Sequence, residues 1–286
     1  MVAWRNIMVL LLVVQLCSSC LKEENAVQLP QPGNGTIAQV EQGELYEQQV
    51  YFNLSNKDTF NSRFAAWDLA FDAQDNNFFS YMNGGKLMHI AKVNSNIFSA
   101  VTDTTGLVFL WDAPSWNKDS LAIGNWNNNK NQIFVVDRGY LYSNFAERFW
   151  KIRIVDCNNN SFRFEYASIA STQSANIVIE RDNNFSYQYF TFDNAGNVLS
   201  LEPQYNQWHI QFTRYRVIFS QNSLPFPYLV TGVLINPNML QATVDSSYSY
   251  EKVDYEFAKN KILTKARDAI GFEWKYFDIN AGMFKS

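Results

Sequence analysis

The sequence is poor in charge, histidine and cysteine, and each shortage closes off a class of function. Only 17% of the 286 residues are charged, and 23 basic residues face 27 acidic ones for a net charge of −4. No Lys/Arg cluster stands out, so a nucleic-acid surface is not expected. Two histidines and three cysteines leave little material for a metal centre, and none is expected. No HExxH, GxSxG, CxxC or phosphate-cradling glycine loop occurs. No catalytic residue is nominated, and the chain reads as a non-enzyme. Long apolar runs are missing too. Ile7 to Leu16 is interrupted by Gln15 and falls short of the roughly 20 apolar residues that cross a bilayer. Helix formers gather only in Ser115 to Ile123 and Tyr255 to Ala269, with Gly271 placed to end the second.

What is present begins with a targeting segment. Arg5 supplies a positive start, and the short apolar run ends in Leu16-Cys17-Ser18-Ser19-Cys20. Small residues directly before a cysteine resemble a bacterial lipobox, which implies a signal peptide over residues 1–19 and lipid on Cys20. Cutting before Cys17 instead would place bulky Leu16 at the cleavage site. The acidic Leu21-Lys22-Glu23-Glu24 that follows resembles the surface-export signal of Bacteroidetes-type lipoproteins. Residues 20–45, with Pro30, Pro32, Gly33 and Gly35, read as a lipidated N-terminus and extended tether. The expected location is the cell-surface face of the outer membrane, held by the lipid anchor. Cys157 then has no cysteine to pair with inside the folded part, despite an oxidising compartment.

Beyond the tether the chain repeats itself. Trp67-Asp68-Leu69-Ala70-Phe71 returns as Trp208-His209-Ile210-Gln211-Phe212, and Tyr51-Phe52-Asn53-Leu54 echoes Tyr189-Phe190-Thr191-Phe192. Leu87 to Asn96 lines up with Leu229 to Asn238, and Ala122-Ile123-Gly124 with Ala269-Ile270-Gly271. Solenoid units run to about 20–50 residues, so a repeat this long implies a duplicated domain. The expected division is 46–180 for a first domain and 181–286 for a second. The second copy has little chain after Trp274. Either its closing strands come from elsewhere or the chain is a truncated version of a longer one, and truncation is the expectation.

Strand signals dominate both copies. Trp67, Leu69 and Phe71 alternate with Asp68, Ala70 and Asp72, the period of a half-buried strand. Further strands are expected at Gln132–Asp137, Phe149–Val155, Ser161–Tyr166, Ala175–Glu180, Tyr187–Phe192 and Phe212–Phe219. Asn-rich joints between them, such as Asp156 to Asn160, suit turns. Asn83-Gly84-Gly85 is expected to turn because glycine accepts positive φ. The fold class is all-β: antiparallel, sandwich-like sheets with minor helix, duplicated.

The order Trp67-Asp68-Leu69-Ala70-Phe71, Asn83-Gly84-Gly85, then the aromatic strand pair Phe149–Ile154 and Phe162–Tyr166 resembles the HmuY family. These are haem-binding surface lipoproteins of Bacteroidetes-type bacteria. The resemblance covers Tyr51 to about Ser171, and a shortened second copy covers Tyr189 to Ser286. It implies haem or a related porphyrin as cofactor, a haem-carrying protein as a candidate partner, and axial His or Met donors downstream of the turn. Met88 and His89 occupy that stretch, and Val230 and Thr231 replace them in the second copy. As strand neighbours they point to opposite faces, so one of them at most serves a given pocket.

The other reading is a surface adhesion or glycan- or protein-binding module without haem, in which Trp111, Trp116, Trp126, Phe226 and Tyr228 stack on the partner. Packing in a core accounts for most aromatics one by one. If Trp208, Ile210 and Phe212 face the core, His209 faces solvent with Gln211 and Thr213. Asp68 and Asp72 read as a solvent-facing acidic pair. Met82, Met88 and Met239 suit gap-filling. Cys157 has no activating neighbour in sequence. Intact mass and peptide mapping of the mature protein should find lipid on Cys20; an unmodified terminus downstream of Cys20 would refute the anchor.

Overall fold

The computed structural model describes residues 37–221, 224–245, 247, 249, 252–272, 276–278 and 283–285. Cys20 and the signal segment lie outside the described residues. The strands, all paired antiparallel, are in chain order β1 (Gln48–Phe52), β2 (Thr59–Arg63), β3 (Leu69–Asp72), β4 (Ser80–Met82), β5 (His89–Lys92) and β6 (Phe109–Leu110). Then come β7 (Ile133–Asp137), β8 (Phe149–Cys157), β9 (Ser161–Ser168), β10 (Ala175–Glu180), β11 (Tyr187–Thr191) and β12 (Asn197–Leu199). The long hairpin β13 (Ile210–Gln221) and β14 (Leu224–Ile235) follows, and last the pair β15 (Tyr276–Asp278) and β16 (Met283–Lys285). The class is all-β. Of the two helical expectations, only a 3-10 turn at Lys118–Ser120 and a single α-turn at Tyr255–Ala258 form. The latter stops because the chain is drawn into a bridge between Ala242 and Thr264.

Three sheets stack in layers. The outer six-stranded sheet has the order β10-β9-β8-β7-β5-β6, and the middle one is β12-β11-β3-β4. Between them lies the main core: Leu69, Phe71 and Phe190 from the middle sheet against Ile90, Phe134, Ile152, Phe162 and Phe164 from the outer one. Trp126 closes it, meeting Phe71 edge-on at 5.3 Å and donating from Nε1 to Ser80 Oγ at 2.9 Å. Fully burying each aliphatic or aromatic side chain contributes about 1.5–3 kcal/mol, so this face is the principal source of stability.

The third sheet, β14-β13-β1-β2, covers the other face of the middle one. Every residue of β3 is therefore buried, against the expectation of a half-buried strand. Asp68 and Asp72 are 0% and 7% exposed, not a solvent pair. The alternation on β13 is also inverted. Gln211, Thr213 and Tyr215 are buried, while Ile210, Phe212 and Arg214 are half-buried. The inward polar side of β13 is satisfied locally: Gln211 Nε2 donates to Gln49 Oε1 at 3.2 Å and Gln211 Oε1 accepts from Arg267 NH2 at 2.9 Å.

The duplication appears as reciprocal contacts. Asn83 Nδ2 donates to the carbonyls of Phe64 and Trp67 at 2.7 and 2.9 Å, and Asn236 Nδ2 to those of Tyr205 and Trp208 at 2.7 and 3.0 Å. Their Oδ1 atoms accept from Gly85 N (3.0 Å) and Asn238 N (3.1 Å). Asn236 is thus the counterpart of Asn83, a different register from the alignment of Leu229–Asn238 with Leu87–Asn96, because the β13–β14 hairpin is longer than β3–β4. Gly84 and Gly85 do not need positive φ. A Cβ on Gly85 would lie 2.7 Å from the Arg214 carbonyl, so the close approach of β13 requires the glycine.

The sheets cross the expected boundary at 180/181. The hairpin β11–β12 pairs with β3 (Tyr189↔Ala70), and the hairpin β1–β2 pairs with β13 (Tyr51↔Gln211). Tyr51 packs edge-on to Trp208 at 4.9 Å and Tyr189 to Trp67 at 5.1 Å, and the two tyrosine hydroxyls meet at 3.2 Å. Each hairpin thus lies beside the Trp-led strand of the other sequence copy, and Val40–Ser286 forms one compact unit. β13 is paired on both edges, with β1 and with β14.

Asp68 ties the layers together. It accepts from Lys86 Nζ, from Arg138 Nε and NH2 (3.0 and 2.9 Å), from Thr191 Oγ1 (3.1 Å) and from the Phe192 amide (2.8 Å). Burial alone would raise its carboxyl, but Lys86 and Arg138 outweigh that and hold it below the ordinary value. Asp68→Ala would strand two buried cations and should cost about 3–5 kcal/mol in urea unfolding. A loss below about 1 kcal/mol would show that the cluster does not tie the layers together.

Candidate binding cleft

The two residues nominated as haem donors separate as neighbours on a strand must. Met88 is fully buried in the main core with Leu69, Met82 and Ile90, and its carbonyl accepts from Arg216 NH1. Its thioether does not fit an axial role, since reaching a ligand would unpack the core. His89 is half-buried, with its ring 4.6 Å from Phe109 and 5.8 Å from Trp111. Nε2 lies 3.4 Å from Asp137 Oδ2. Burial pulls the imidazole below its ordinary value, against the opposing pull of Asp137. Nδ1 lies 3.4 Å from the Leu87 carbonyl, so both ring nitrogens face a protein group. His209 is half-buried rather than solvent-facing, and its Nδ1 accepts from the Leu54 amide at 3.2 Å.

A different place in the fold has the character of a site. A cleft of about 500 Å³ opens between the repeats, inside the roughly 300–1,000 Å³ range of ligand pockets. The end of β3 brings Asp72, β4 brings Tyr81, and the start of β11 brings Ser186 and Tyr187. The loop after β6 supplies Trp116 and Lys118, and the segment following Thr264 supplies Lys265 and Arg267. The far wall is fixed to the near one by backbone bonds, Arg267 N to Ser115 O (3.2 Å) and Ile235 N to Arg267 O (2.7 Å).

Trp116 is the hinge of this wall. Tyr81 stacks on its ring at 4.2 Å and 16°, the Arg267 guanidinium lies 3.8 Å from its centroid, and Tyr187 meets it edge-on at 5.1 Å. Its backbone is left-handed (φ 54), unusual for so bulky a residue, and this packing holds it there. Of the aromatics expected to stack on a partner, Trp126 is core, Trp116 is engaged by Tyr81 and Arg267, and Trp111 sits beside His89. Phe226 and Tyr228 do stand exposed on β14.

Two buried atoms in the cleft wall want partners. Asp72 Oδ1 accepts from Tyr81 Oη at 3.0 Å, but Oδ2 has no hydrogen bond. Arg267 NH2 donates to Gln211 Oε1 at 2.9 Å, but Nε has none. Such groups cost about 1–3 kcal/mol each when left unsatisfied. Burial pushes the Asp72 carboxyl up to about 6, although the Tyr81 bond and Lys118 act the other way.

Behind the cleft runs the polar seam between the two four-stranded sheets. Glu202 Oε1 accepts from the amides of Ser186 (2.7 Å) and Tyr187 (2.8 Å), and Oε2 from Tyr189 Oη (3.0 Å). Burial raises this carboxyl to about 7 even against those bonds. Cys157, buried, makes a bond of 3.2 Å to Asn127 Oδ1, and burial raises its thiol. Among the described residues no group of three or more His, Cys, Asp or Glu is placed to hold a metal ion.

Reading the sequence for site residues missed Tyr81, Tyr187 and Arg267 and placed Asp72 at solvent. The echo of Tyr51-Phe52 in Tyr189-Phe190 pointed to the seam, since the two tyrosines meet there. Nothing in the sequence marked Arg267. No known protein family, curated protein or solved structure matches this chain.

Glu202 gives the seam a pH signature. Its folded-state value lies above its unfolded one, so the folded state binds more protons and stability falls as pH rises from about 4.5 to about 7. Glu202→Gln mimics the protonated acid. It should stabilise the protein at pH 8 by on the order of 3 kcal/mol, and the gain should shrink towards pH 4.5. A gain independent of pH in thermal melts would place the raised value elsewhere.

Proposed function

We propose that this chain is a lipid-anchored surface protein that binds a small polar ligand in the cleft between Asp72 and Arg267 and does not transform it. The observation that carries the reading is Asp72, a carboxylate 7% exposed that lines the cleft and leaves Oδ2 without a donor. Native interiors rarely leave such an atom unsatisfied without a functional reason. Binding rather than turnover is supported by the lining itself, which holds one carboxylate and no histidine or cysteine. The anchor and surface display rest on the Ser18-Ser19-Cys20 and Lys22-Glu23-Glu24 signals.

Haem is the second reading, favoured by one observation: His89 is half-buried, its imidazole lowered by burial, and flanked by Phe109 and Trp111. On this reading His89 is the axial donor and Met88 takes no part.

The readings separate in one pair of measurements on the full chain. In a small-molecule screen followed by backbone and indole amide NMR, ligands should shift Trp116, Lys118 and Asn238. Hemin titration should show no Soret change that Met88→Ala or His89→Ala alters. A Soret band lost in His89→Ala, with no ligand mapping to the cleft, would overturn the cleft reading in favour of haem.

A further inference from the structure

The β13–β14 hairpin outruns the sheet it belongs to. It is paired from Ile210↔Ile235 to Gln221↔Leu224, but β1 joins β13 only over Ile210–Phe212. The Asn83 turn then flanks β13 as far as Arg216, whose backbone Gly84 approaches. On the other edge β14 is held near its end, where Val233 N donates to Gly271 O at 2.9 Å and Ile235 N to Arg267 O at 2.7 Å. Among the described residues no further strand lies beside Val217–Gln221 or Leu224–Tyr228. At about 3.3 Å per residue, Val217–Gln221 carries the ribbon roughly 17 Å further. A two-stranded ribbon is marginally stable in water by itself, so this end has reason to rest on something.

One face of it is apolar and open. Val217 lies opposite Tyr228 and Phe219 opposite Phe226, so all four share a face. Phe219, Phe226 and Tyr228 are 45%, 48% and 48% exposed. The Phe219 ring lies 5.7 Å from Tyr228 and 6.4 Å from Phe272, which makes the patch continuous. It extends into a groove of about 480 Å³ that Pro114, Ile218 and Val244 help to line, with Asp268 as its one charged residue.

Two features say what this face meets. The amides of β14 that point away from β13 fall on odd positions, as Val233 and Ile235 show. In the projecting end those positions are Pro225 and Pro227, which have no N–H. An added strand finds no donors there, so the edge is closed to β-pairing and the side-chain face is what remains. The second feature is charge. Val217 to Val244 contains no Asp, Glu, Lys or Arg, although 17% of the chain is charged. Protein partners are steered and held in register by complementary charges, and this end has none to offer. A bilayer penalises charge instead, and tyrosine favours its interface.

We propose that the end of the β13–β14 hairpin rests its Phe219, Phe226 and Tyr228 face on a lipid bilayer, at the level of the headgroups and upper acyl chains. It lies on the membrane and does not span it, because a lone ribbon leaves backbone edges unpaired in hydrocarbon. On the reading that Cys20 carries lipid, the hairpin is a second membrane contact and orients the folded unit on the surface.

Sedimentation with vesicles tests this on the chain from residue 21, which has no lipid and contains the whole compact unit Val40–Ser286. Vesicles of phosphatidylcholine, and of phosphatidylethanolamine with phosphatidylglycerol, should both carry it down, since the contact is apolar and not ionic. Phe226→Ser should weaken vesicle binding by about tenfold. Phe145→Ser, on the turn before β8 and also 45% exposed, should bind like the parent. A polarity-sensitive dye on Tyr228→Cys should brighten and shift to shorter wavelength with vesicles, a readout that does not depend on the folding of Phe226→Ser. The chain's other thiol, Cys157, is buried and escapes the label. No binding of the parent, a dye that does not respond, or Phe226→Ser binding like the parent would overturn the inference. So would a dimer that Phe226→Ser dissolves with no vesicle binding, which would give the face to a second copy. Lipid on Cys20 is read separately by mass, so failure of the anchor and failure of the hairpin contact are distinct results.

Discussion

The buried carboxylate of Asp68 is the constraint on which the rest of the architecture depends. Five donors converge on it from separate parts of the chain: Lys86 after the Asn83 turn, Arg138 after β7, and Thr191 and Phe192 at the end of β11. A charge with no exposed surface is tolerated only when it is paired and hydrogen-bonded on every side. Satisfying Asp68 therefore fixes where β11 lies against β3, which in turn places Tyr187 and Ser186 at the mouth of the cleft. Arg138 extends the cluster to Asp193 at 2.7 Å and stacks on Tyr142 at 3.8 Å, so the ion pair reaches the surface through one connected network.

The second repeat solves the same problem with different chemistry. Where the first copy has Asp68, the second has His209, half-buried and accepting one amide bond from Leu54. What both copies keep is the asparagine that holds the Trp-led turn, Asn83 and Asn236, and the tyrosine that packs on the tryptophan of the other copy. The shared elements are those that set backbone geometry, and the divergent ones sit where the copies have different neighbours. The cleft lies between the copies and uses Asp72 and Tyr81 from the first and Asn238 and Arg267 from the second. Neither copy alone contains it.

Burial also explains why the polar groups of this region behave differently from one another. Asp68, Asp72 and Glu202 are all buried carboxylates. Asp68 bonds two cations directly and is held below its ordinary value, whereas at Asp72 and Glu202 burial outweighs their hydrogen bonds and the pull of Lys118 and Arg181 on the one and Arg267 on the other, and they rise to about 6 and about 7. Local partners, not depth, decide the direction. Glu202 has all its bonds inside the fold and serves the seam. Asp72 lines the cleft and keeps one buried oxygen without a hydrogen bond.

Period-two patterning, aromatic content and Asn-rich joints were enough to establish an antiparallel all-β chain, and Ala175–Glu180 and Phe149–Val155 were legible as strands because their patterning is local. The likeness of Trp67 to Trp208 and of Tyr51 to Tyr189 was legible for the same reason. Which face of a strand is buried was not. β3 is covered on both sides and β13 turns Gln211 and Thr213 inward, because a third layer lies against them, and no residue on either strand encodes how many sheets will stack. Nor could the sequence show that each hairpin sits beside the other copy's Trp-led strand. Either pairing satisfies the same strand edges, and the choice is made by contacts between residues more than a hundred positions apart. Asp68 and Asp72 were read as solvent-facing for that reason. The pairing of distant strands alone decided that one became the centre of an ion cluster and the other the floor of a cleft.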